Sequence, residues 1–506
     1  QTIQYFVIAQ DLAATPNVGL GSATTFAVAP TSVALTAANF PAGGAINFYS
    51  IINTLPTFLQ VGAAGDFPTL TAAGGLFNVI NNIGLSGNTT VEIIDPVITE
   101  NNAFPLNQVQ NTGCGAGAVS LLIKPAAGLS PTITGSRSNE PIIRVLSSNV
   151  TIDGSNNGTT SRDLTLTNTN ATSPSVILFG SLNSATAINN ATLKNTICIN
   201  TLSITNCVVI SDGNVGGNPG YFNNITIENN SIQKSSIGIN CAAVPASGNG
   251  SVLITGNDLN ASGASQIGAV GIYMEGLDGA TVSNNNIGNF ETAITSPRYG
   301  IWMNFNNINC TVTNNNISNI GYTGSSAALT YGIFAGPAVA ASNNTITDNR
   351  ISNITSTGSA AVFGIDIANA SGAITVLKNN ISNIRNTNAG GFGAYGIGLF
   401  STSTTANITV ANNFISNVAG FGQATLARNG HGIYISSGGG YKLYYNSINL
   451  NTNQSAGVTA PLMIANTVTT AASLDIRNNI FANTQTAGAV AGSRYAIYSA
   501  NTNNGI

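Results

Sequence analysis

Charge is the scarcest commodity in this chain. Only 6% of its 506 residues are Asp, Glu, Lys or Arg, against about a quarter in an ordinary soluble protein. The 14 basic and 17 acidic side chains leave a net charge of −3, and there is a single His. That balance argues against nucleic acid or an anionic membrane surface as the main partner, since both call for clustered cations. Long apolar runs are missing as well. No window reaches the roughly 18 uninterrupted apolar residues that a membrane-spanning helix requires. The five cysteines, Cys114, Cys198, Cys207, Cys241 and Cys310, form no CxxC pair and no Cys/His cluster, which speaks against a structural zinc site. Their spacing leaves a Cys198–Cys207 or a Cys207–Cys241 disulfide open, while the phase of Cys198, Cys241 and Cys310 suits buried thiols used as small hydrophobes. The chain opens at Gln1 with neither an initiator Met nor a basic-then-apolar leader, which reads as a mature exported form or a trimmed chain.

What is present is repetition. The stretch Thr311-Val-Thr-Asn-Asn-Asn-Ile-Ser-Asn-Ile320 returns at Thr226–Ile232, Thr281–Phe290, Thr345–Ile354, Thr375–Ile384 and Thr409–Val418. The apolar residue after each Thr gives the series Leu193, Ile227, Ile254, Val282, Val312, Ile346, Val376, Val410, Leu443 and Ile476. These anchors are separated by roughly 27 to 34 residues, a period that marks a solenoid. A second strand pattern keeps step with the first: Tyr299-Gly-Ile301, Tyr331-Gly-Ile333, Phe363-Gly-Ile365, Tyr395-Gly-Ile397 and His431-Gly-Ile433. Dense Asn, Gly and β-branched residues exclude helical repeats of similar length. The expected fold is therefore all-β, a right-handed parallel β-helix with coils of about 30 residues, each burying its Ile/Val row only by stacking on its neighbours. Twelve or thirteen coils spaced about 4.8 Å apart would make a rod of roughly 60 Å.

Three regions follow. Residues 1–62 carry strand-length apolar runs broken by Pro and Gly and suggest a β-rich or extended segment of unassigned fold. Residues 63–87 hold Leu70, Leu76, Phe77, Val79, Ile80 and Ile83 at helical spacing, with Thr69 or Thr71 as candidate N-cap. A short helix there would cover the open first rung of the solenoid. Residues 88–506 are the β-helix itself.

Three positions after each anchor stands an Asn: Asn230, Asn257, Asn285, Asn315, Asn349, Asn379, Asn413, Asn446 and Asn479, with Thr196 departing from the column. At a bend, Asn tolerates a left-handed backbone and bonds its own turn; stacked in register, the amides form a ladder. A second Asn column runs through Asn289, Asn319, Asn353, Asn383 and Asn417. Both are structural in character.

The stacked Thr-Val-x-Asn-Asn-x-Ile units resemble the pectin-lyase-like superfamily of right-handed parallel β-helices, and the Asp66-Phe-Pro-Thr-Leu-Thr-Ala-Ala stretch resembles the cap of that group. Residues 60–506 are similar in flavour to long secreted Asn/Thr/Gly-rich bacterial surface proteins exported by the type IX route. That resemblance implies a secreted or cell-surface location, contact with the export machinery, and a C-terminal sorting or anchoring domain, none of which is visible before Ile506.

The same fold often hosts polysaccharide lyases and hydrolases, which need clustered carboxylates. The acids of the regular region, Glu275 and Asp278, Glu291, Asp348, Asp366 and Asp475, fall mostly one per coil and on different columns. Asn429-Gly-His-Gly432 resembles the Gly-His-Gly of polygalacturonases, but the Asn-Thr-Asp, Asp-Asp and Arg-Ile-Lys companions of that family are missing. Its His431 occupies the aromatic column of Tyr299, Tyr331, Phe363 and Tyr395. No catalytic residue, metal ligand or cofactor is expected. Two outward surfaces remain. The residue after each Gly-Ile gives Tyr273, Trp302, Phe334, Tyr434 and Tyr498, rings able to stack on a sugar or dock a protein. The Thr column Thr281, Thr311, Thr345, Thr375 and Thr409 resembles an ice-binding face, interrupted beside it by Leu377 and Ala411. The leading expectation is a non-catalytic surface protein, an adhesin or structural stalk; the alternative is a glycan-binding or polysaccharide-processing module, with ice binding a minor third.

Overall fold

A computed structural model describes residues 2–21, 24–50, 54–102, 104–113, 117–201, 205–214, 217–486 and 494–501. The chain divides into two compact units, Gln1–Leu55 and Pro56–Ile506. The first consists of three two-stranded antiparallel ribbons that pair Thr2–Tyr5 with Asn47–Ser50, Ile8–Gln10 with Val18–Leu20, and Thr24–Phe26 with Ala42–Gly44. Phe6, Phe26 and Phe40 meet edge to face, and Asn39 is buried where its amide bonds the Thr36 backbone N–H and the Val28 carbonyl.

The second unit is a right-handed parallel β-solenoid of about 13 turns. Three parallel sheets of 15, 13 and 12 strands run its length among the described residues. Their inward columns are continuous. In the first sheet Val282, Val312, Ile346, Val376, Val410, Leu443 and Ile476 stand opposite one another. In the second the same holds for Ile287, Ile317, Ile351, Ile381 and Ile415. In the third it holds for Ile272, Ile301, Ile333, Ile365, Ile397 and Ile433. Apart from the partly exposed Ile476, these side chains are fully buried, so each coil closes its core only against the coils above and below.

The solenoid begins earlier than residue 88. Phe58–Val61 already pairs in parallel with Thr89–Ile93, so its first strand lies within 1–62 and ahead of the helix. That helix spans Leu76–Ile83 and buries Leu76, Phe77 and Ile80. Its N-cap is Gly75, not Thr69 or Thr71. The hydroxyl and N–H of Thr71 are held instead by the buried Glu100 carboxylate, which also accepts from the Leu70 N–H at 2.6 Å. Gly74, with φ +74°, and Gly75 both precede the helix.

The asparagine column forms an internal ladder. Each amide oxygen accepts the backbone N–H and the Nδ2–H of the Asn one coil earlier: Asn315 donates to Asn349 Oδ1 at 3.0 Å from both. Asn349 Nδ2 in turn reaches Asn379 Oδ1 at 3.0 Å and the Val312 carbonyl at 2.9 Å. The series runs unbroken from Asn230 through Asn257 and Asn285, and on through Asn413 and Asn446 to Asn479. Thr196 joins its start through N–H and Oγ1 donation to Asn230 Oδ1. The left-handed residue is not the ladder Asn but the one before it: Asn284, Asn314, Asp348, Lys378, Asn412 and Tyr445 all have φ near +55°. Turning the chain one residue early is what aims the next side chain into the bend. The second column lies at another bend, where Asn319 Nδ2 donates to Asn289 Oδ1 at 2.7 Å and Asn353 Nδ2 to Asn319 Oδ1 at 2.9 Å. Asn383 continues it to Asn353, and Asn417 pairs instead with Asn451 and Thr452. Cys198, Cys207, Cys241 and Cys310 are buried free thiols, and Cys114 lies outside the described residues.

Candidate ligand-binding face

The outer side of the third sheet carries two columns of rings. Between them each coil has a Gly whose added Cβ would meet the next coil: at Gly300, 2.5 Å from the Gly332 carbonyl oxygen and 2.6 Å from Ile317 Cγ2. This glycine is skipped in the strand register, so the residue before it and the second residue after it both point outward. One column is Val270, Tyr299, Tyr331, Phe363, Tyr395 and His431. The other is Tyr273, Trp302, Phe334, Asp366, Gly398, Tyr434, Met463 and Tyr498. Tyr299 stacks on Tyr331 at 4.9 Å and Tyr331 on Phe363 at 5.0 Å, the spacing of neighbouring strands. Crosswise, Tyr299 lies flat on Trp302 at 4.3 Å and Tyr395 on Tyr434 at 4.8 Å.

The strip is not uniformly open. The inner column, from Val270 and Tyr299 through Tyr395, forms a small second core that Tyr434 and Met463 join, and beyond Phe334 it is Leu329, Ala361, Phe400, Leu426 and Ala427 that pack on it. Tyr434, expected to face out as a binding ring, is only 5% exposed. Phe400 and Leu426, supplied from outside the repeating columns, close over this stretch. His431 is fully buried and stacked parallel to Tyr395. Its Nε2–H donates to the Leu426 carbonyl at 2.9 Å. Burial depresses its pKa to about 4. Asp366 fills a ring position, 4% exposed with Oδ1 unpartnered, and burial raises its pKa well above the usual carboxylate range. The two groups are sealed among rings rather than presented to a substrate.

Around Trp302 the strip is open. Tyr273, Trp302 and Phe334 are each half-buried. Tyr273 meets the edge of Trp302 at 4.9 Å, and its hydroxyl donates to Glu275 and accepts from Asn304 Nδ2 at 2.7 Å. Burial, and then Glu275, push the Tyr273 phenol upward and keep it protonated. A phenol, a carboxylate and an amide thus stand beside the indole. On the other side of Trp302 lies a cavity of about 420 Å³, lined by Ile237, Val270, Ile294, Pro297, Tyr299 and Trp302 together with Ser236 and Ser296. Column reasoning missed Asn304 and this cavity, because Asn304 lies just past the Arg298–Met303 strand and the loop residues Ile294–Pro297 wall the cavity, while Glu275, at the end of the Val270–Glu275 strand, counts there only as one of the scattered acids. One signal was available: Arg298 stands where the neighbouring coils place Thr330, Val362 and Ala394, a lone cation in a charge-poor chain.

The remaining expected sites take other places. Thr281, Thr311, Thr345, Thr375 and Thr409 align on the first sheet, flanked by Leu253 and Lys442. Asp278 accepts from the Gly248 N–H and from Asn309, and Asp475 pairs with Tyr444 and Arg477. Among the described residues no three His, Cys, Asp or Glu side chains gather into a metal-holding group, and no helix is long and apolar enough to cross a membrane.

The coils, ladders and sheets define the protein as a parallel β-helix. Among solved structures the chain is similar to the A-module of the mannuronan C-5 epimerase AlgE6 of Azotobacter vinelandii, at 12% identity and a TM-score of 0.38, over 81% of this chain and 93% of that one. It is likewise similar to the AlgE4 A-module of the same organism, at 13% identity and 0.36, over 74% and 91%. The Dettilon tailspike protein gp208 follows, at 11% identity and 0.38, over 81% and 62%. The likeness is one of fold. No protein-family model matches the chain, and no curated protein does.

Proposed function

We propose that the protein is an extracellular surface β-helix that binds glycan at the open end of its aromatic strip, an adhesin-type module carried on a rigid stalk. The observation that carries this reading is the surround of Trp302: a half-exposed indole, braced flat on Tyr299, with Tyr273, Glu275 and Asn304 on one side and a cavity on the other. An indole face offers apolar area to the C–H face of a pyranose, and a carboxylate with an adjacent amide can accept from and donate to its hydroxyls. Of the five rings expected to face outward, Tyr273, Trp302 and Phe334 fit this role; Tyr434 serves the closed end, and Tyr498 stands beyond Met463 in the same column. A surface glycan or glycosylated protein is the partner in this reading, and cell-surface export its setting.

A second reading, polysaccharide processing at the same place, is favoured by the Tyr273–Glu275 hydrogen bond, which pairs a phenol with a carboxylate beside a sugar platform. One experiment separates the two. The protein is passed over immobilised polysaccharides, with and without Ca²⁺, and the eluates are assayed for new reducing or unsaturated ends. Retention lost in Trp302→Ala without turnover supports the binding module. Turnover abolished by Glu275→Gln establishes the enzyme, and retention unchanged in Trp302→Ala removes the site.

A further inference from the structure

The cavity beside Trp302 has a chemical preference of its own. Its segment Ile294–Pro297 is gathered by Arg298, whose side chain is fully buried. The guanidinium donates to the carbonyls of Ile294, Ser296 and Pro297 and, at 2.9 Å, to Ser296 Oγ. Its remaining neighbour is the Tyr322 ring, 6.0 Å from the guanidinium carbon, while its Nε has no partner at all. Among the described residues no carboxylate forms an ion pair with it. A guanidinium does not give up its proton, so a buried positive charge without a counter-charge stands behind one wall of an otherwise apolar cavity. Ser296 connects the two: its oxygen accepts from Arg298, and the residue borders the cavity.

We propose that this cavity receives the acetyl group of an acetylated sugar, whose ring lies against Trp302. The inference rests on the glycan-binding reading and names the ligand class of that site. The acetyl methyl sits among Ile237, Val270 and Pro297, and the acetyl oxygen accepts from the Ser296 hydroxyl in the field of Arg298. The alternatives fit worse. A carboxylate would lose its hydration among apolar walls without reaching Arg298, whose Nη groups donate to the Ile294–Pro297 segment instead. A bare hydroxyl would enter with its own O–H unpaired. The volume, about 420 Å³, has room for an acetylated sugar residue.

Trp302 is the sole tryptophan, so its fluorescence reports on the site directly. Titrations compare chito-oligosaccharide (N-acetyl), acetylated xylo-oligosaccharide (O-acetyl), the deacetylated forms of both, cello-oligosaccharide and an oligouronate. At least one acetylated ligand is expected to bind tenfold or more tightly than its deacetylated form, and the two acetylated arms tell an amide from an ester. Ser296→Ala is expected to cut that preference to about threefold or less. Equal affinity for acetylated and deacetylated ligands, or tightest binding of the oligouronate, overturns the acetyl assignment and leaves glycan binding standing. No response from any ligand, with the coil intact by circular dichroism, overturns both.

Discussion

The two ends of the aromatic strip share one architecture and differ in what covers it. Near Trp302 the outer rings Tyr273, Trp302 and Phe334 are partly exposed over the buried Tyr299 and Tyr331, with a polar cluster and a cavity beside them. Near Tyr434 the same columns are roofed by Phe400 and Leu426, and a His and an Asp are locked among the rings. The sheet beneath is the same in both places. A repeat therefore sets where a ring stands, and the loops between strands decide whether it is core or surface. Tyr434 and Trp302 occupy one column with opposite tasks.

The largest expected contrast is in stability. Tyr434→Ala empties a sealed position and is expected to cost about 4 kcal/mol in denaturant unfolding. Trp302→Ala, at the open end, is expected to cost about 1 kcal/mol, as befits a partly solvated side chain. Equal losses would erase the distinction between the ends.

Acid should act on the closed end. His431 is neutral in the fold with a pKa of about 4, while an unfolded His takes a proton below about 6.5. Its contribution is thus complete above pH 6.5 and is lost as pH falls toward 4, by roughly 3 kcal/mol. His431→Phe, which matches the ring at Phe363, should flatten that loss in melts recorded across this range. Asp366 works in the opposite sense. Its folded pKa is raised, so the unfolded chain sheds the proton first and stability declines as pH rises above about 4. Asp366→Asn should remove that decline.

The glycine between the columns should not tell the ends apart. A Cβ at Gly300 would lie 2.5 Å from the Gly332 oxygen, and one at Gly396 would lie 2.5 Å from Ile415 Cγ2. Alanine at either position is expected to cost about 2 kcal/mol. Unequal costs would mean that the underlying sheets differ after all. The smallest effect is on binding: removal of the indole should weaken glycan retention about tenfold, whereas Tyr434→Phe should leave it unchanged.

Much of the fold could be read directly. The anchor series, both ring columns and the internal amide ladder stand in the register that the spacing implies, because stacking in a solenoid turns sequence period into spatial column. Where the reading slipped, local geometry was the reason. The left-handed turn falls on Asn314 and Asp348 rather than on Asn315 and Asn349, since two adjacent polar residues leave the turning one ambiguous. The helix begins after Gly75 because Glu100, thirty residues on, claims Thr71. The site was less legible. Tyr273 and Trp302 could be placed on one face, but Glu275 and Asn304 come together only once Tyr273 bridges two coils. The roof over Tyr434 comes from residues outside any period.

The two asparagine ladders also have an electrical consequence. In the internal one, each amide oxygen faces the lower-numbered coil and one side-chain N–H faces the higher, from Asn230 to Asn257 and onward to Asn479, while the other N–H returns to a carbonyl of the coil before. In the second, the donors point the other way, from Asn383 to Asn353, Asn319 and Asn289. The amide dipoles of one column oppose those of the other, and parallel sheets add little of their own. Lengthening the rod by a coil that carries both asparagines adds two opposed dipoles of similar size. Where the columns run side by side, a scaffold of this kind can change its reach by whole coils without becoming a macroscopic dipole.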